Sequence, residues 1–123
     1  MKQAIEAAAE PLCRREDGSF RQKFRFAADF PGFDGHFPGY PVLPAIVQVL
    51  AAQVVVEGMQ GRPLVMKGLD RAKFLRPVLP GETLEVDCRE RQSGDRQVWD
   101  VCLRADEKPA ATFWMIPGEE REA

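Results

Sequence analysis

Histidine is almost absent from this chain: His36 is the only one, and Tyr40 is the only tyrosine. A protein metal site needs several ligands gathered together, and one histidine without a local carboxylate cluster gives no such set. Cysteine is scarce as well. Cys13, Cys88 and Cys102 form no Cys-x-x-Cys pair, and an odd number leaves one over. A disulfide framework or Cys-rich zinc site is therefore not expected, and a reducing compartment, the cytoplasm, is. No basic excess exists: 17 Lys+Arg against 19 Asp+Glu give a net charge of −2. That argues against broad nucleic-acid binding, which usually needs a basic domain. Phosphate-binding and nucleophile-elbow patterns (GxGxxG, the P-loop, GxSxG) are missing. The N-terminal stretch, broken by Glu6 and Glu10, does not read as a secretory signal. Residues 35–56 carry no formal charge, which is membrane length. However, Pro38, Pro41 and Pro44 interrupt the first half, and Gln48 and Gln53 sit in the second. The segment reads as a loop followed by a buried helix, not a membrane span.

What is present describes one globular unit. The chain has 123 residues, 45% hydrophobic and 29% charged, and domains commonly run to roughly 100–200 residues. Residues 1–123 are therefore expected to form a single domain, with fraying ends at 1–3 and 118–123. Asp17-Gly18 marks a turn between short segments at 12–15 and 20–28. In the second segment Phe20, Gln22, Phe24 and Phe26 share one face, and Arg21, Lys23 and Arg25 share the other. This predicts a half-buried strand whose basic stripe is a solvated face blunting an edge or, alternatively, a docking stripe for an acidic partner. From residue 63 onward, turn signals at Pro80-Gly81, Ser93-Gly94 and Lys108-Pro109 separate alternating segments. Strands are expected at 64–75, around 84–88, around 99–103 and at 110–116.

Residues 44–57 read as a helix that is apolar nearly all round, so it must be surrounded by protein. Pro44 suits its first turn, and Gly58 or Gly61 can end it. One buried helix and about six strands give an α+β domain, a curved antiparallel sheet wrapped around a single long helix. A second copy would cover the sheet's open edge, so a dimer is expected.

His36 stands in Gly35-His36-Phe37-Pro38-Gly39-Tyr40-Pro41-Val42-Leu43-Pro44, directly before that helix. A lone histidine is more often structural than catalytic. Here the prolines and glycines stiffen its loop. The loop leads to a helix N-terminus, whose free N–H groups and positive dipole end suit a carbonyl oxygen or oxyanion. Phe30, Phe33, Phe37 and Tyr40 offer an apolar lining. An imidazole titrates near neutrality and can act as a base.

The stretch Phe33-Asp34-Gly35-His36-Phe37-Pro38-Gly39-Tyr40-Pro41-Val42-Leu43-Pro44 resembles the signature of the 3-hydroxyacyl-[acyl carrier protein] dehydratases, within the thioesterase/dehydratase superfamily. A second stretch, Ala72-Lys73-Phe74-Leu75-Arg76-Pro77-Val78-Leu79-Pro80-Gly81-Glu82, is also similar to that family. The resemblance spans most of residues 20–116. It implies a hotdog fold, dimeric through sheet pairing, and conversion of a 3-hydroxyacyl thioester to a 2-enoyl thioester in fatty-acid or related lipid synthesis. The substrate would be carried by acyl carrier protein or coenzyme A. No further cofactor and no metal are implied.

By the same resemblance, His36 is the catalytic residue that removes the C2 proton. Phe33, Gly35, Phe37, Pro38 and Gly39 in the loop, and Ala45, Ile46, Leu50 and Gln53 on the helix, are the expected substrate-binding residues. The helix-start N–H that binds the thioester carbonyl belongs to Ala45, where the family usually has glycine. The acid that protonates the leaving 3-hydroxyl belongs at position 50, which here is Leu50. The family's histidine and acid come from different subunits. Gln53, nearly on the same face, could hold water, and Glu57 lies further along that face. Three readings follow: a dehydratase; a non-catalytic or half-site subunit that binds acyl thioesters or pairs with an acid-bearing hotdog partner; and an acyl thioesterase.

Overall fold

A computed structural model of the chain describes residues 1–33 and 41–118. The elements are α1 (Lys2–Ala7), β1 (Cys13–Arg14), β2 (Phe20–Arg25), a 3-10 turn at Pro31–Phe33, α2 (Ala45–Gln60), β3 (Met66–Phe74), β4 (Thr83–Ser93), β5 (Arg96–Ala105) and β6 (Lys108–Pro117). The strands form one six-stranded sheet in the order β1-β2-β4-β5-β6-β3. Every pairing is antiparallel. This is the sheet with a central helix that the sequence predicts. The segment containing α2 joins β2 to β3, carrying the chain to the far edge of the sheet.

The alternating strand residues explain the layers. Phe24, Leu84, Val86, Cys88, Val101 and Leu103 are fully buried and point toward α2. From the helix, Val49, Ala51, Ala52, Val55 and Val56 meet them in one core. Burying a Val or Leu side chain contributes about 1.5–3 kcal/mol, so this seam dominates the fold's stability.

Of the two glycines that could end the helix, Gly61 does so: the helix runs through Gly58 to Gln60, and Gly61 has a φ of 71° and donates its N–H to the Glu57 carbonyl at 2.9 Å. The helix differs from expectation in not being enclosed on all sides. Ile46 is 61% exposed, Ala45 is exposed and Leu50 is half-buried. The sheet and α1 cover most of the helix, and the apolar surface left open lies at its first turns, on Ala45, Ile46 and part of Leu50.

The N-terminus is a second correction. Residues 1–3 were expected to fray, yet Lys2 opens helix α1, whose Ile5 is completely buried. So short a helix is unstable alone and depends on tertiary packing. Ile5 in the core and the contact of the Lys2 ammonium with the Glu57 carboxylate supply it. At the other end Gly118 is tied back through its N–H to the Val65 carbonyl at 2.7 Å; residues 119–123 lie outside the described residues.

Of the basic stripe of β2, Arg21 is held in an ion pair. Arg21 pairs with Glu85 at 2.7 Å, and beside it Arg15 pairs with Asp87 at 2.9 Å and Arg89 with Asp17 at 3.0 Å. β2 is not the outermost strand, because β1 flanks it for two residues. The acids of β4 could not be assigned to this stripe before the register was known. At the opposite edge β3 is irregular, with register shifts between Met66 and Gly68 and between Asp70 and Lys73. Its residues Leu69 and Phe74 remain 40% and 45% exposed.

Candidate active site

The described residues on either side of the motif are packed and hydrogen-bonded. Before it, Phe26, Phe30 and Phe33 form a chain of rings with centroid separations of 4.4 Å and 5.8 Å. Gly32 makes this possible: a Cβ there would lie 2.3 Å from Phe30 Cε2. After it, the buried Leu43 donates its N–H to the Val78 carbonyl at 2.8 Å. The Leu43 carbonyl accepts from Gln48 Nε2 at 3.1 Å.

Val78 belongs to the second family-like stretch, and Gly81 of that stretch donates its N–H to the Phe26 carbonyl at 2.9 Å. The two stretches singled out in the sequence therefore meet in space. Residues 76–82 thus touch the chain on both sides of the motif, at Phe26 and at Leu43. Gly81 takes a φ of 82°, a conformation glycine accepts without a Cβ penalty.

Downstream, Pro44 is the N-cap of α2 with φ −60° and ψ 151°, and no side chain caps the helix. Its carbonyl accepts from Val47 at 3.0 Å and Gln48 at 3.2 Å. The first amides, those of Ala45 and Ile46, stand at an exposed helix start, where N–H groups lack intrahelical partners. A thioester carbonyl placed there would meet donors and the positive end of the helix dipole.

The expected site residues divide into three groups. His36, Gly35, Phe37, Pro38 and Gly39 lie outside the described residues. Phe33 is buried in the aromatic cluster at the loop's base. Ala45, Ile46, Leu50 and Gln53 all lie on α2, with Ile46 and Leu50 on its open side.

Gln53 has a definite task of its own: its Nε2 donates to the Leu64 carbonyl at 3.0 Å. Glu57 accepts from the Leu64 N–H at 2.7 Å and also contacts Lys2. Both side chains thus fasten the link between α2 and β3. In the sequence Gln48 is a polar interruption of the apolar helix, with no role given to it. It is 4% exposed, and its Oε1 has no hydrogen-bond partner among the described residues. A polar residue in an otherwise apolar helix was the available signal. Among the described residues no cluster of three His, Cys, Asp or Glu side chains gathers.

Comparison with known proteins places this arrangement. The profile of the ApeI-like dehydratases matches residues 12–112. The chain belongs to the ApeI-like dehydratase family. It is 36% identical to the 3-hydroxyacyl-[acyl-carrier-protein] dehydratase FabZ of Thermus thermophilus over 74% of this chain and 63% of that protein. It is 42% identical to FabZ of Desulforamulus reducens over 49% of this chain and 47% of that protein. The chain thus spans about half to two thirds of the length of these relatives. Among solved structures, a chain of the dehydratase heterocomplex ApeI:P from Xenorhabdus doucetiae superposes with a TM-score of 0.73 at 17% identity, covering 90% of this chain and 94% of that one. The PaaI protein of E. coli superposes with a TM-score of 0.70 at 19% identity, covering 95% and 88%. The fold is the hotdog fold.

Proposed function

We propose that this chain, as one hotdog domain, dehydrates 3-hydroxyacyl thioesters to 2-enoyl thioesters, and that its site is completed by an acid-bearing hotdog partner. In this reading the His36 imidazole takes the C2 proton, and the helix-start amides of Ala45 and Ile46 stabilise the enolate oxygen that develops. The C3–oxygen bond then breaks, and the hydroxyl leaves as water after receiving a proton. Phe33, Gly35, Phe37, Pro38 and Gly39 line the approach. The substrate arrives on acyl carrier protein or coenzyme A, in the cytoplasm, where the free thiols Cys13, Cys88 and Cys102 stay reduced.

One observation carries the partner requirement. The open side of α2 presents Ile46 and Leu50, and Gln53 and Glu57, further along the helix, are both committed to Leu64. Position 50, where the family places its acid, carries a leucine. Loss of a positioned acid commonly costs about 10²–10⁴ in rate. A second hotdog subunit docked on the exposed Leu69, Phe74 and Ile46 would cover that surface and bring its own helix carboxylate. The ApeI:P structure from Xenorhabdus doucetiae is itself a dehydratase heterocomplex, which supports this reading.

The test is to incubate the purified chain with 3-hydroxyacyl thioesters, alone and mixed with an acid-bearing homologue. Enoyl formation and free thiol are followed separately. The expected result is little enoyl product from the chain alone and rapid formation in the mixture. Full activity alone overturns the partner requirement. Thiol release without enoyl product makes the chain a thioesterase.

A further inference from the structure

The convex face of the sheet, away from α2, carries two charged regions of different character. Around β2, β4 and β5 a cleft of about 490 Å3 is lined by four arginines and four carboxylates, and the pairs there include Arg21 with Glu85 and Arg15 with Asp87. It is electrically balanced. A second cleft, of about 480 Å3, lies over β3 and β6, with Arg71, Lys73 and Arg91 against the single carboxylate of Asp100 around Trp114 and Thr112. Its lining has an excess of two positive charges, and the neighbouring Asp70 carboxylate is offset by Arg96 at 3.4 Å.

The second region is also organised. Arg71 lies over the Trp114 ring at 4.3 Å and Arg91 at 5.2 Å, so two guanidiniums hold one indole. Arg71 reaches it from the second irregular stretch of β3, at a φ of 51°. That conformation is uncommon for a residue with a side chain and is strained. The Asp70 carboxylate accepts the Arg71 N–H at 2.8 Å and holds it there. A guanidinium laid flat on a ring keeps its N–H edges free for carboxylates. Arg91 shares Asp100 at 3.2 Å, an exposed pair of the kind that contributes little and can exchange partners. Register places Lys73 opposite Thr112 and Asp70 opposite Trp114, so Lys73 shares this face.

We propose that this face is a docking surface for an acidic segment of another protein. Arginine is among the residues that most often dominate protein interfaces, and here the buried Trp114 is the plate that positions two of them. The surplus of positive charge selects carboxylates and steers their approach. The open shape of the cleft suits a protein surface. The proposal does not depend on the dehydratase reading, since none of these residues belongs to the candidate active site.

Binding of a twelve-residue glutamate-rich peptide to the full chain tests it, by calorimetry and by the fluorescence of Trp114 in a Trp99→Phe background. Calorimetry on the unsubstituted chain keeps the test valid if Trp99→Phe does not fold. The expected result is saturable binding that weakens with added salt. Arg71→Ala and Lys73→Glu should each weaken it roughly five- to tenfold, while Arg21→Ala in the balanced cleft leaves it unchanged. Absence of binding overturns the proposal. So does binding that ignores both substitutions, full displacement by inorganic phosphate, or tighter binding of a single-stranded oligonucleotide.

Discussion

The Glu57 carboxylate accepts a hydrogen bond from the Leu64 N–H, with 2.7 Å between the atoms. One helical turn earlier, Gln53 donates to the carbonyl of the same residue at 3.0 Å. Two side chains of α2 thereby hold both backbone groups of Leu64, where the chain leaves the helix for the edge strand β3. The pair that sequence position offered as substitutes for a missing acid is engaged in fastening the fold.

This arrangement gives the first prediction. Glu57→Ala leaves the Leu64 N–H without its acceptor and should cost about 1–3 kcal/mol. Glu57→Gln keeps an acceptor oxygen and should cost less. In a partnered complex, turnover per folded molecule should be unchanged in both variants. Denaturant unfolding together with an enoyl-formation assay measures the two effects. Loss of turnover in a fully folded Glu57→Gln variant would show that Glu57 is the proton donor.

Gly32→Ala should destabilise the protein by about 1–3 kcal/mol, the usual cost of overpacking a filled core. The new methyl would meet the Phe30 ring, which is confined by Phe26 and Phe33. Thermal unfolding reads the effect. Pairing the change with Phe30→Leu should recover part of the loss, because a smaller side chain removes the collision. A Gly32→Ala protein as stable as the parent would mean that the aromatic cluster yields freely.

Asp17 should make stability depend on acid. Its carboxylate accepts from the Ser19 hydroxyl at 2.6 Å and the Ser19 N–H at 2.9 Å, and it faces Arg89 and Arg15. The Ser19 hydrogen bonds first, then the arginine charges, lower its pKa from 3.8 to about 2. A carboxylate with a depressed folded pKa stabilises the protein above its unfolded pKa, and that contribution is lost as pH falls toward 2. Stability should therefore decline between about pH 5 and 2, and Asp17→Asn should flatten part of that slope. Denaturation midpoints across this range measure it, and an NMR titration of the Asp17 carboxyl checks the assignment. A midpoint near the ordinary carboxylate value would refute the role given to Ser19.

Much of this architecture was legible because its signals are local. Alternation at Leu84, Val86 and Cys88 placed β4, and Ser93-Gly94 placed the turn into β5, where Gly94 takes a φ of 64°. The helix was legible from its apolar run. Features that depend on distant contacts were not. Helix α1 exists because Ile5 finds the core and Lys2 finds Glu57. The pairing of Arg21 with Glu85 depends on the register of β2 with β4, and the Trp114 platform on an irregularity in β3 that no periodicity announces. In the site, the helix start and the absence of an acid at Leu50 could be read directly. The service of Gln48, Gln53 and Glu57 to backbone groups of Leu43 and Leu64 required coordinates, because a polar residue in an apolar helix suits chemistry and capping equally well.

The final prediction is a gain of function by Leu50→Glu. Leu50 lies on the open side of α2, half-buried against the core, one turn beyond the exposed Ile46. Under the proposed function this is where the family's acid would stand, facing the histidine of a second subunit. A glutamate there should cost stability, because a carboxyl at an apolar, partly buried position loses hydration. The same loss raises its pKa, and a protonated carboxyl is what a leaving hydroxyl needs. A homodimer of the variant would then hold two sites with both groups, whereas the parent homodimer holds none. Enoyl formation from 3-hydroxyacyl thioesters should rise by about 10²-fold or more, the lower end of what a positioned acid contributes. Leu50→Gln separates the acid from the polarity: it fits the same space, cannot donate a proton as readily, and should give no such gain. Mixing the parent with a homologue that has the acid but lacks the histidine should restore one working site per dimer. If Leu50→Glu folds, dimerises and stays inactive while the parent alone turns over at full speed, the proton comes from elsewhere and the partner requirement is wrong.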